Sequence, residues 1–222
     1  MDRAALFDVD GTLTDTNHLH VICWWEALRQ AGHHVPMHAV HRALGLPGED
    51  LLAHLLGEDR DQGDDDRLSA AHDTLYATYF DRLDAFGSAA DLLRALAEAG
   101  WKVLLVTSAK DNELEALREA IGADDSIADT ATSDDVERGK PAPDPVRHAL
   151  QLAGVTPERA VFVGDSVWDM KAARRAGVAV MGLLCGGIPR QDLEEAGAAA
   201  VYHDPADLLA HLGTSTFAQV PA

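Results

Sequence analysis

The chain has 222 residues, 47% of them hydrophobic, and a formal charge of −19 from 18 basic and 37 acidic side chains. That length holds one domain, or one domain carrying a smaller inserted one, with apolar runs enough for a sizeable core. So acidic a surface repels phosphate backbones and anionic lipid, which argues against nucleic-acid and membrane partners, and no run approaches the roughly 20 apolar residues of a bilayer span.

The first apolar run, Ala4 to Val9, is short and ends in an acidic Gly-Thr turn, so it reads as a buried strand. The segment MDRAALFDVDGTL carries acids inside its only apolar stretch, unlike a targeting peptide. Residues 15–83 read as helical, without a strand. A first helix starts near Asp15 or Thr16, both good N-caps, and runs to the Gly32 region; Pro36 and Pro47 can open two more. The charged run Glu58 to Arg67 reads as a solvated loop, and another helix is expected over Leu68–Arg82.

From Phe86 onward helices and strands alternate. Helix Ser88–Gly100 precedes strand Lys102–Thr107. Helix Asp111–Ile121 precedes a short strand near Ala128–Thr132. Helix Pro145–Leu152 precedes strand Ala160–Val163. Helix Val167–Ala176 precedes strand Val178–Leu183. A strand near Ala199–Tyr202 precedes helix Pro205–Leu212, and the tail 214–222 is expected to fray. The pattern predicts an α/β fold, a doubly wound parallel sheet formed by residues 1–14 and 84–213, with 15–83 inserted after the first strand as a helical cap. Cys23 and Cys185 suit reduced thiols in a cytoplasmic protein.

Four features fall at strand C-terminal ends, where open α/β sheets bind ligands. They are Asp8-Val9-Asp10-Gly11-Thr12-Leu13; Thr107-Ser108; Lys140 in GKPAPDP; and Gly164-Asp165-Ser166 with Asp169 four residues on. Asp8 and Asp165 converge across neighbouring strand ends, and close carboxylates stay ionised together only with a cation. Oxygen ligands of this kind suit Mg²⁺. Lys140 is one of four lysines (with Lys102, Lys110 and Lys171) and supplies a point charge for a phosphate group. Thr107, the Ser108 N–H and the turn at Gly11 supply donors. A turn at Gly11 can aim Asp10 away from Asp8, so the pair can divide nucleophile and acid/base roles. The plain structural alternatives are a turn at Asp10-Gly11, an N-cap at Ser166, a first-turn helix acid at Asp169 and a surface lysine at Lys140.

The DxDGT run, the strand ending in Thr107, the KPAPD lysine and the GDSxxD segment resemble, in order, the four motifs of the haloacid dehalogenase-like hydrolases. The helical insertion resembles the caps of their phosphoglycolate phosphatase and β-phosphoglucomutase members. The resemblance implies Asp8 as nucleophile and Asp10 as acid/base. It implies Asp8, Asp165 and the Asp10 carbonyl as Mg²⁺ ligands, Thr107 and Lys140 on the phosphoryl oxygens, and Asp169 and Ser166 supporting them. Asp10 favours phosphate esters, because the dehalogenases and phosphonatases of this family lack that acid. Asp15-Thr16 matches the family's hinge.

His20 and Trp24, four apart on one helix face, match cap positions facing the active site, or are simply cap core. His18 and His20, two apart, make a poor helical metal pair, and His33-His34 fall in a loop. Gly45 matches the cap's specificity loop, but Leu44 and Gly48 stand where the related mutases carry basic residues. Arg42 is the nearest basic group. A substrate with one phosphate and a small or partly apolar body is therefore expected, acted on by a monomer or homodimer. A phosphomutase, a receiver-type signalling domain and a retired binding protein are the competing readings. Receivers place their aspartate on the third strand and carry no inserted cap.

Overall fold

The structure, a computed structural model, describes residues 2–221. Six parallel strands, β1 (Arg3–Phe7), β2 (Trp101–Val106), β3 (Ile127–Ala131), β4 (Ala160–Gly164), β5 (Ala179–Leu183) and β6 (Ala200–Tyr202), pair in the order β3-β2-β1-β4-β5-β6. The expected doubly wound parallel sheet is therefore the observed one. The winding reverses at β1, which pairs with β2 on one side and β4 on the other. At that reversal the flanking connections leave in opposite directions, and a crevice opens above the strand ends.

The helices are α1 (Asn17–Gln30), α2 (Met37–Ala43), α3 (Gly48–Leu56), α4 (Asp65–Tyr76), α5 (Ala89–Glu98), α6 (Asp111–Ile121), α7 (Asp144–Ala153), α8 (Val167–Arg175), α9 (Arg190–Ala196), α10 (Pro205–Ala210) and α11 (Thr216–Gln219). Both sheet faces are covered, so its strands read as continuous apolar runs. Alternate β1 residues divide between the faces: Ala5 and Phe7 pack with Leu92, Leu93 and Leu96, whereas Ala4 and Leu6 pack with Val146, Ala149 and Met170. Helices α1–α4 hold a third apolar cluster around Val21, Trp24, Leu28, Leu52 and Leu68.

Four expectations need correction. The tail does not fray over its described part, which stops short of Ala222. Helix α11 seats Phe217 beside Phe7 (ring centroids 6.4 Å apart) and edge-on to Trp101 (4.9 Å). Burying that ring offsets the ordering cost by about 2 kcal/mol. The fourth cap helix begins at Asp65, not Leu68, and turns to 3₁₀ geometry over Ala77–Arg82. Acids suit a helix N-terminus, and Arg60 pins Asp65 by a shielded ion pair of 2.6 Å. Helix α9 is absent from the sequence reading, although Pro189 before it is a start signal. Thr16 occupies the N-cap position of α1, yet its hydroxyl does not cap the helix.

Candidate active site

The turn after β1 separates its two acids. The amides of Thr12, Leu13 and Thr14 all donate to the Val9 carbonyl, so the chain reverses at once after the strand. Asp8 remains over the strand end, where Thr12 Oγ1 donates to its Oδ2 (3.1 Å) and the Lys140 ammonium contacts its Oδ1. Asp10 is swung to the other side. There its Oδ1 accepts from Thr16 Oγ1 at 2.6 Å and meets His20 Nε2 at 3.2 Å. The missing cap of α1 is thereby explained: the Thr16 hydroxyl is diverted to Asp10.

Lys140 is buried and donates to the Val106 carbonyl at 3.0 Å. Its Nζ lies 2.8 Å from Asp169 Oδ1, and the other Asp169 oxygen accepts from the Ser166 N–H (3.1 Å) and hydroxyl (2.7 Å). Ser166 caps α8 in return by accepting from the Asp169 amide. The capping alternative and the supporting role are thus the same geometry. Burial works against the Lys140 charge, but Asp169 and Asp8 more than offset it and hold the ammonium above its ordinary range. Burial and the Asp169 charge raise the Asp8 carboxyl to about 7, despite Lys140 beside it.

Asp165 receives Thr12 Oγ1 at 3.2 Å and Asn17 Nδ2 at 2.8 Å. Burial, then Asp8 and Asp169, push its carboxyl well above the usual range. Glycines crowd it: a Cβ at Gly186 would stand 1.8 Å from Asp165 Oδ2, and one at Gly11 would stand 2.5 Å from it. Gly11 therefore serves by lacking a side chain. Its N–H, expected as a donor to a ligand, is taken by the Thr14 carbonyl at 2.9 Å because the turn closes on itself. Asp8, Asp165 and Asp169 offer oxygens within 4.8 Å of one another, all buried, against one ammonium. The excess negative charge and the all-oxygen donor set fit a hard divalent cation such as Mg²⁺.

These groups border a cavity of about 620 Å³ roofed by the helical insertion. Ser108 lines it, whereas Thr107 lies buried beside it with its hydroxyl accepting from the Ala109 amide at 3.0 Å. His20 and Trp24 both line it and face a matching pair four apart on α4: Trp24 stacks on His72 (4.3 Å) and His20 on Tyr76 (3.9 Å). His20 Nδ1 meets His72 Nε2 at 3.1 Å, and His72 Nδ1 meets Asp73 Oδ1 at 2.8 Å. Burial opposes the His20 charge, yet Asp10 raises its pKa overall; burial lowers that of His72. Glu113 Oε1 stands 3.8 Å from His20 Nε2, and burial together with Asp10 lifts its carboxyl to about 7. His18 turns instead toward His41.

Gly45 closes the roof. At φ +92° it brings the loop against α8, where a Cβ would meet Ser166 Oγ at 2.7 Å. Trp168 Nε1 donates to the Arg42 carbonyl at 3.1 Å, and His41 Nε2 meets the Gly186 carbonyl at 2.8 Å. Arg42 points out of the cavity to Asp192, 2.5 Å away. Sequence reasoning had Thr12 within its first motif but gave it no role, and it missed Asn17, Gly186, His72, Asp73 and Glu113. The His72–Tyr76 spacing repeats that of His20–Trp24 and was the available signal; Asn17, Gly186 and Glu113 had none.

The sheet order defines a Rossmann-like fold with its candidate site at the strand ends. Residues 3–177 match the family model described as haloacid dehalogenase-like hydrolase, and the chain belongs to that family. It is 32% identical to a phosphoglycolate phosphatase of Rhodospirillum rubrum, over 96% of this chain and 92% of that one. It is 31% identical to pyrophosphatase PpaX of Bacillus pumilus, over 82% of each. A solved hydrolase from Pseudomonas syringae superposes with a TM-score of 0.90 at 36% identity, covering 95% of this chain and 98% of that one. Among the described residues no helix is long and apolar enough to cross a membrane.

Proposed function

We propose that the protein is a Mg²⁺-dependent phosphatase that hydrolyses a small-molecule phosphate monoester through a phosphorylated Asp8. The reading is carried by one observation: Asp8 is locked between Lys140 and Thr12 while Asp10, two residues on, is held on the opposite side of the turn. A nucleophile and an acid/base must sit on opposite sides of the transferring phosphorus. Names of relatives that act on phosphoglycolate and pyrophosphate lend support.

Asp8 and Asp165, with the Asp10 carbonyl, would hold the Mg²⁺, which neutralises phosphoryl charge when bound. Lys140, and Thr107 and Ser108 at the neighbouring strand end, would take the phosphoryl oxygens. The Asp8 oxygen bonds to phosphorus as the ester P–O bond breaks, and Asp10 passes its proton to the departing alkoxide. Asp10 then takes a proton from water, whose oxygen attacks phosphorus and frees phosphate and Asp8. Contacts from His20 and Thr16 outweigh burial and hold the Asp10 carboxyl low. A phosphate dianion placed beside it raises that value toward the acid form. The residues 15–83 serve as a cap that excludes water and reads the alcohol.

Arg42 is spent on Asp192, and Leu44 and Gly48 line the cavity, which favours hydrolysis over transfer to a second phosphorylated sugar. The test is phosphate release from p-nitrophenyl phosphate with Mg²⁺, with chelator, and in Asp8→Asn. Release only by the unmodified chain with Mg²⁺ is expected. Near-normal turnover in Asp8→Asn, or in metal-free buffer, would sink the reading.

A further inference from the structure

Beyond the phosphoryl end, the cavity is charged almost wholly one way. Glu113 faces its interior from α6; Asp73, Asp111 and Glu49 stand at its mouth. Among the described residues lining this part, the cations are Lys110 and the imidazole of His20. Lys110 Nζ lies 2.5 Å from Asp134, and the one imidazole of His20 serves two acids: it is hydrogen-bonded to Asp10 at 3.2 Å and only approaches Glu113 at 3.8 Å, which leaves Glu113 open to a second cation. No arginine lines it.

An alcohol bearing a carboxylate or a second phosphate would enter this space without a partner and against four acids. Like-charge juxtaposition of this kind disfavours such an alcohol in recognition. An ammonium meets the opposite conditions. It finds carboxylates at wall and mouth, and the rings of Trp24, Tyr76 and Phe80 line the same chamber. Aromatic walls lower the local dielectric, which strengthens charge attraction.

We propose that the leaving-group side of this cavity selects phosphate monoesters of amine-bearing alcohols, with Glu113 the carboxylate that receives the ammonium. The proposal rests on the phosphatase reading above, and it separates this chain from its phosphoglycolate-named relative, whose substrate name denotes a carboxylate beside the phosphate. The cavity of about 620 Å³ admits a sugar-sized alcohol.

The test compares substrates that differ only in charge. One series is O-phosphoethanolamine, ethyl phosphate and 2-phosphoglycolate. The other is glucosamine 6-phosphate, glucose 6-phosphate and 6-phosphogluconate. In at least one series kcat/KM is expected to fall in the order amine, neutral, carboxylate, by about tenfold per step, the scale of one partly desolvated charge contact. In Glu113→Gln the amine-to-neutral ratio is expected to drop about tenfold. A neutral or carboxylate ester preferred in both series overturns the proposal and leaves the phosphatase reading standing. So does an amine preference unchanged in Glu113→Gln. If the carboxylate preference disappears in Lys110→Ala, Lys110 and not Glu113 reads the alcohol. Phosphate release from no ester, p-nitrophenyl phosphate included, sinks both.

Discussion

The two ends of the cavity are built on different physical terms. At the phosphoryl end, five side chains from the ends of β1 and β4, the turn after β1, the start of α8 and the loop before α7 are buried together, and each is held by at least one of the others. Asp8, Asp165 and Asp169 surround Lys140 and Thr12, with backbone groups of Val106 and Ser166 completing the shell. At the alcohol end, the contacts run between separate helices: His20 and Trp24 of α1 against His72 and Tyr76 of α4, and Glu113 of α6. The roof rests on the core through a few polar contacts, such as Trp168 to Arg42 and His41 to Gly186. On the proposed function, the interlocked end would take the phosphate and the helix-built end the part of the substrate that varies, so that chemistry and specificity reside on different segments.

That contrast can be broken most severely at Lys140. Lys140→Met leaves three buried carboxylates without their ammonium, and removing one partner of such a cluster costs about 3–5 kcal/mol. Urea unfolding should show a loss of that order, larger at pH 8 than at pH 5, where Asp8 can take a proton. Phosphate release should vanish. A fully stable variant would mean that the phosphoryl end is not held by this network.

The next effect is on pH and metal together. Folding raises the Asp8 carboxyl from 3.8 to about 7. An acid raised in this way weakens the folded state as pH climbs from about 4 through about 7, and is neutral to stability below that window. Chelated protein should therefore lose melting temperature across that range. Mg²⁺ at a hundredfold excess over its Kd should restore about 5–10 °C at pH 8 and much less at pH 5. A Mg²⁺ shift equal at both pH values would separate the cation from these acids.

Smaller effects distinguish the roof. Gly45→Ala forces a left-handed residue and a Cβ against Ser166, at a cost of about 1–2 kcal/mol. KM for an ester should rise while the Mg²⁺-induced melting shift stays unchanged; a lost Mg²⁺ shift would show that roof and phosphoryl end are one unit. Least of all, Arg42→Ala should alter stability by under about 0.5 kcal/mol and turnover less than twofold, because its side chain is 55% exposed. A tenfold loss of turnover would put Arg42 inside the cavity.

The phosphoryl end was legible because its motifs are short and local. A strand, an acid at its end and a tight turn are enough to aim Asp8 and Asp10 apart, and parallel topology brings the other strand ends alongside. Asn17 and Gly186 were not legible. Each acts on Asp165 from a distant segment, 148 residues away for Asn17. Gly186 matters through its backbone, because a side chain there would collide with the Asp165 carboxylate while its carbonyl meets Asn17 and His41. The tail misled for the same reason: Phe217 is an apolar residue in a largely polar stretch, and its seat against Phe7 and Trp101 is formed by residues more than 100 positions away.

By itself, then, the sequence determined the sheet, the insertion after its first strand and the residues gathered at β1, since periodicity and turn chemistry act within a few residues. The tertiary structure decided what those residues face. It placed His72 under His20, spent the Gly11 N–H inside its own turn, turned Arg42 outward and set Glu113, Asp73, Asp111 and Glu49 along the same cavity. Such pairings depend on how helices far apart in the chain pack, and long-range packing leaves no local pattern to read.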